Sequence, residues 1–139
     1  MSFVLDTSVT MRWFFGDGTP QSREYAFKLF DILESGSAIV PVTWGLEVAN
    51  VIARVEIKEL MPQVRSDAFI ERLRGMDIKV DEATFEHALF DTLHLARKYK
   101  LSSYDASYLE LAMRLDLPLA TLDDNLRKAA KKAGVKDVV

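Results

Sequence analysis

The apolar runs of this chain are short and continuous, and that limits its fold more than any other feature. Ser2–Leu5, Ser37–Val42, Ile78–Val80 and Leu117–Thr121 read as strands with little polar alternation. A strand wetted on one face alternates apolar with polar residues, whereas one covered on both faces does not. Between these runs the spacing turns helical. In Gln21–Glu34, Tyr25, Leu29, Ile32 and Leu33 share one face, and Gly36 ends the helix. Strands alternating with helices predict an α/β fold whose mostly parallel sheet is covered on both faces. In 139 residues this forms a single domain over 1–139.

The remaining elements follow from their punctuation. Thr7 or Ser8 caps a helix that runs to Phe15, and Gly16–Pro20 forms a loop. Thr43 starts a helix to about Leu60, Pro62 opens the next and Gly75 closes it. Asp81–Lys100 reads as one long helix with Phe85, Ala88, Leu89, Leu93 and Ala96 facing inward. Ser102–Leu115 and Asp123–Lys132 are the last helices, and Val138-Val139 is a candidate edge strand.

In open parallel sheets ligands bind beyond the carboxyl ends of the strands. Asp6 follows the first strand and Asp123 follows Leu117–Thr121, so both point to one crevice. Two further acids join them. Glu47 lies in Leu46-Glu47-Val48-Ala49-Asn50-Val51, where apolar neighbours make a plain surface role hard to sustain. Asn50, one turn on, is a candidate to orient it. Asp105 follows Ser102 as in a capping box and stands in the first turn of its helix. Asp6 and Asp123 also suit helix N-caps, and Asp124 competes with Asp123 for the fourth position. Gathered carboxylates repel unless a cation lies between them. A hard divalent ion held through oxygen is the fitting partner, which points to metal-dependent chemistry on phosphate esters. Thr7, Ser8, Asn50 and Thr121 are candidates to orient water or phosphate.

Other chemistries find little support. There is no cysteine, and His87 and His94 lack a third ligand nearby, so zinc is not expected. A strand followed by Asp6 also begins haloacid-dehalogenase-type phosphatases, but the second aspartate such a site needs is Ser8 here. Glycine-rich phosphate loops and nucleophile elbows are missing. The net charge of −3 argues against a generic nucleic-acid binder, although four site carboxylates account for the excess. Arg127, Lys128, Lys131 and Lys132 read as a solvated helix face. Without an apolar run long enough to span a bilayer or a basic leader, the chain is expected in the cytoplasm and away from membranes.

Four blocks together resemble the PIN-domain ribonucleases, most closely the VapC-type toxins of type II toxin–antitoxin systems. They are Val4-Leu5-Asp6-Thr7-Ser8; Pro41 through Glu47-Val48-Ala49-Asn50; Leu101-Ser102-Ser103-Tyr104-Asp105-Ala106 with Tyr108–Ala112; and Leu117–Asp123. The resemblance implies a three-layer α/β/α sandwich and a Mg²⁺- or Mn²⁺-dependent endoribonuclease. Asp6 and Asp105 would be the foremost metal ligands, with Glu47 and Asp123 completing the set. It further implies an RNA substrate, a homodimer and a small antitoxin partner. The alternatives are a PIN-like module that binds RNA or protein without cutting, and a PIN nuclease acting in RNA processing or on DNA.

Overall fold

The computed structural model describes residues 1–139. Strand β1 (Ser2–Leu5) leads into helix α1 (Thr7–Phe15) and then α2 (Pro20–Ser35). Strand β2 (Ser37–Val40) is followed by α3 (Trp44–Ile57) and α4 (Gln63–Arg74). Strand β3 (Ile78–Val80) precedes a helical stretch made of α5 (Thr84–His87), a π segment (Ala88–Thr92) and α6 (Leu93–Tyr99). Helix α7 (Ser103–Leu115), strand β4 (Leu119–Ala120) and α8 (Asp124–Lys132) complete the order.

The sheet has the order β3-β2-β1-β4, and every pair is parallel. Strand β1 shows why its sequence does not alternate in polarity. Phe3 and Leu5 point to one side, where they pack with Val9 of α1 and Ala26, Leu29 and Leu33 of α2. Val4 points to the other side, among Tyr108, Leu109 and Ala112 of α7 and Leu126 of α8. A third cluster joins α1 to α3 and α4 through Met11, Phe14, Val48 and Ile52, with Phe69 and Leu73 against it. Gly36 enters β2 where a side chain would meet the Met1 carbonyl oxygen at 2.5 Å, so a larger residue there would push the first two strands apart. No helix is long and apolar enough to cross a membrane.

Three expectations need correction. The stretch Asp81–Lys100 is not one regular helix. Its π segment widens a turn, and an inserted residue rotates everything beyond it by about 100°. Phe85 (83% exposed), before the π segment, and Leu89 (75%), within it, face outward, while Leu95 beyond it is buried. Strand β4 is only two residues long, not five. No edge strand forms at Val138-Val139; a single parallel bridge joins Leu119 to Asp137 instead.

Candidate active site

The parallel register sets Asp6 at the carboxyl end of the central strand. The Asp6 amide donates to the Ala120 carbonyl at 3.0 Å, which lays Asp6 beside Thr121 at the end of β4. Thr121 Oγ1 then donates to Asp6 Oδ2 at 2.7 Å, and Ser8 Oγ donates to the same oxygen at 2.6 Å. Both hydroxyls are in turn fixed by amides, Leu122 N–H to Ser8 and Asp123 N–H to Thr121. Ser8 and Thr121 thus orient a buried carboxylate and leave Oδ1 without a protein donor.

Glu47 projects from the first turn of α3 toward α7. Its Oε1 accepts from the Tyr108 hydroxyl at 3.0 Å, and Oε2 accepts from Thr7 at 3.3 Å. Thr43, one turn back, completes the set at 3.4 Å. Asn50 is exposed and makes no hydrogen bond to Glu47. Glu47 reaches across the fold, so its orienting partners come from α1 and α7 as well as from the N-cap of its own helix.

Asp105 sits in the first turn of α7, where its amide donates to Ser102 Oγ at 3.0 Å. Its carboxylate carries no comparable set of protein donors. Asp123 is the N-cap of α8, accepting from Leu126 N–H at 2.8 Å. Asp124 beside it is exposed.

The four carboxylates act on one another. Burial pushes the Asp6 carboxyl above its ordinary range, and the charges of Glu47 and Asp123 add to this, against the pull of Ser8 and Thr121. Burial also raises Glu47, Tyr108, Thr7 and Thr43 pull it back, and the charge of Asp105 raises it. Asp105 is pushed up to about 6 by burial and then by the charges of Asp6 and Asp123. Asp6, Glu47, Asp105 and Asp123 therefore surround one electronegative region, although no three of them close into a preformed ligand cage. A donor set of carboxylate and hydroxyl oxygens suits a hard divalent cation. Mg²⁺ in particular keeps several waters and needs only one or two protein carboxylates. The histidines stand apart, with His87 bonded to Asp91 at 2.7 Å.

A family model described as "PIN domain" matches residues 3–132. The chain belongs to the PIN domain family. PIN domains are in general metal-dependent nucleases. None of the curated proteins compared with the chain matches it. Among solved structures, PAE2754 from Pyrobaculum aerophilum is similar at TM-score 0.66 and 21% identity, over 99% of this chain and 92% of that one. FitAcB from Neisseria gonorrhoeae is similar at TM-score 0.58 and 21% identity, over 99% of this chain and 96% of that one. At that identity both show a shared fold.

In this PIN domain Tyr108 is the site residue that sequence reasoning missed. It is fully buried, and its hydroxyl joins Glu47 to Thr7, 2.8 Å away. The one available signal was a tyrosine three residues after Asp105, on a neighbouring face of an apolar helix. Buried tyrosine hydroxyls need partners, and here the partner is a site carboxylate. Tyr108→Phe is expected to weaken Mn²⁺ binding roughly tenfold, the usual effect of removing a group that orients a ligand. Calorimetric titration with Mn²⁺ checks this, and an unchanged affinity would mean that Tyr108 only fills the core.

Proposed function

We propose that this PIN domain is an endoribonuclease dependent on Mg²⁺ or Mn²⁺, and that it is the toxin of a type II toxin–antitoxin pair. The observation that carries the nuclease reading is the convergence of Asp6, Glu47, Asp105 and Asp123 from four separate elements, close enough that their charges help to hold the carboxyls of Asp6, Glu47 and Asp105 above the ordinary range. Such mutual repulsion costs stability and calls for a positive partner. A divalent cation there would neutralise charge on the scissile phosphate and make water more acidic near neutral pH.

The chain's own contribution is orientation. Ser8 and Thr121 fix Asp6 through one oxygen and leave the other to face the ligand. Tyr108, Thr7 and Thr43 fix Glu47. Asp105, with few partners of its own, is the carboxylate most in need of a cation. The resemblance assigns the reaction to hydrolysis, leaving a 5′-phosphate and a 3′-hydroxyl on RNA. It also supplies the antitoxin and the homodimer.

Asp6→Asn is expected to abolish RNA cleavage while the circular dichroism spectrum stays that of the wild type. EDTA is expected to stop wild-type cleavage and added Mn²⁺ to restore it. Cleavage at the wild-type rate by Asp6→Asn, or in chelator, would overturn the assignment. Retained Mn²⁺ binding without cleavage of RNA or single-stranded DNA would favour the non-cutting module.

A further inference from the structure

An acidic site repels the strand it cuts, so affinity for RNA has to come from cations placed beside it. The whole chain carries −3, which makes the distribution of lysines decisive. One groove of about 390 Å³ gathers Lys98, Lys100, Lys128 and Lys132, together with Asn125 and Tyr99, and no acidic residue lines it. None of these four lysines forms an ion pair, whereas Arg114, Arg12, Arg74 and Arg127 are all matched to carboxylates.

Two elements form its walls. Lys98 and Lys100 come from the end of α6, while Lys128 and Lys132 stand one turn apart on α8. One end of the groove is formed by residues that neighbour two of the acids in sequence. Asn125 is two residues beyond Asp123, the N-cap of α8. Lys100 is two residues before Ser102, which caps α7 and holds the Asp105 amide. From Asn125 to Lys132 the groove follows α8 for roughly 10 Å. The lysines on α8 alone read as a solvated face; the end of α6 on the other side of the groove turns them into one wall of a basic channel.

We propose that this groove binds the phosphate backbone of the RNA strand whose scissile bond lies at the acids. The proposal rests on the ribonuclease reading for its ligand. Lysines are suited to it because they meet phosphates as point charges without demanding a base sequence. Tyr99 lies partly buried against the core and serves as a wall.

Lys100 allows a clean test. It closes α6 at φ 55°, a left-handed conformation that favours glycine. Lys100→Gly therefore removes the ammonium while relaxing the backbone, and unfolding cannot account for lost affinity. In an Asp6→Asn background, which keeps the RNA intact, the test adds Lys100→Gly, Lys128→Gln and Lys132→Gln. Binding of a labelled, unstructured single-stranded RNA is followed by anisotropy across a salt series. The triple variant is expected to bind at least about tenfold more weakly. Its log K against log salt slope is expected to be shallower by about 2, near 0.7 for each lost phosphate contact. In the wild-type background the same three changes are expected to leave Mn²⁺ affinity unaltered by calorimetry. An unchanged slope would overturn the groove, even if the wild type cuts RNA. A groove-dependent slope in a protein that cuts no RNA with Mn²⁺ would sustain the groove and sink the nuclease reading.

Discussion

Asp105→Asn is expected to do two opposite things: remove cleavage and stabilise the metal-free protein. Cleavage should fall at least about a hundredfold, as when one charge-stabilising group is lost from an active site. The stability gain comes from removing a charge that burial disfavours, and secondly from relieved repulsion. Asp105 is pushed up to about 6 by burial and by Asp6 and Asp123, against 3.8 for a free side chain. A carboxyl whose folded pKa is raised favours the fold when protonated. That contribution is complete below the unfolded value and is lost as pH rises through about 6. Solvent reaches this half-buried group and screens part of the repulsion, leaving about 1 kcal/mol at neutral pH. Thermal melts in EDTA at pH 7.5 should place Asp105→Asn roughly 3–5 °C above the wild type. Near pH 4 the gap should close, because the wild-type carboxyl is then largely neutral. Equal melting temperatures at pH 7.5, or a gap that widens in acid, would show that the four acids do not strain the fold.

A loss of stability, larger in size than that gain, is expected at a site distant from the four acids. Arg114 on α7 donates to both oxygens of Asp81, at 2.6 and 3.2 Å, and through Nε to Glu110 Oε1 at 2.7 Å. Asp81 follows β3, so this fork ties the sheet edge to α7. Glu110 is only 5% exposed. Burial pushes Asp81 up, but the hydrogen bonds from Arg114 and Thr84 outweigh it and hold the carboxyl below its ordinary value. Its stabilising effect is present above 3.8 and is lost as pH falls through the lowered folded value. Arg114→Met leaves Glu110 buried beside only His87, 3.4 Å away. Stranding a buried charge costs about 3–5 kcal/mol, which urea denaturation at pH 7.5 measures. Adding Glu110→Leu should recover much of the loss. A cost under about 1 kcal/mol for Arg114→Met alone would mean that solvent already serves these carboxylates.

Local signals made much of the fold legible. Phe3-Val4-Leu5 is apolar without interruption because its neighbours alternate between two cores, and that alone specifies a strand covered on both faces. Ser102 and Asp123 act as the caps their positions suggest. Leu89 was misplaced because helical periodicity assumes an unbroken 3.6-residue turn, and a π segment carries no clear pattern of its own; Phe85, in the short helix before it, is exposed although its spacing put it on the inner face. Asn50 was suggested by spacing along one helix. The actual partner of Glu47 is Tyr108, 61 residues away, a pairing that only tertiary packing creates. The spacing of the carboxylates could not be read at all, because it depends on how α7 and α8 meet β1.

The strand order also sets a schedule. Strand β1 precedes the other three strands in the sequence yet lies inside the sheet, and its partner on one side is residues 119–120. Until that late segment joins, Asp6 has no Thr121 to orient it and Asp123 has no place beside it. Contacts so distant in sequence form late, because the long intervening loop must close before they return any stabilisation. An unfinished chain therefore holds Asp6, Glu47 and Asp105 but cannot assemble them with Asp123. The four carboxylates therefore come together only once residues 119–123 have joined the sheet.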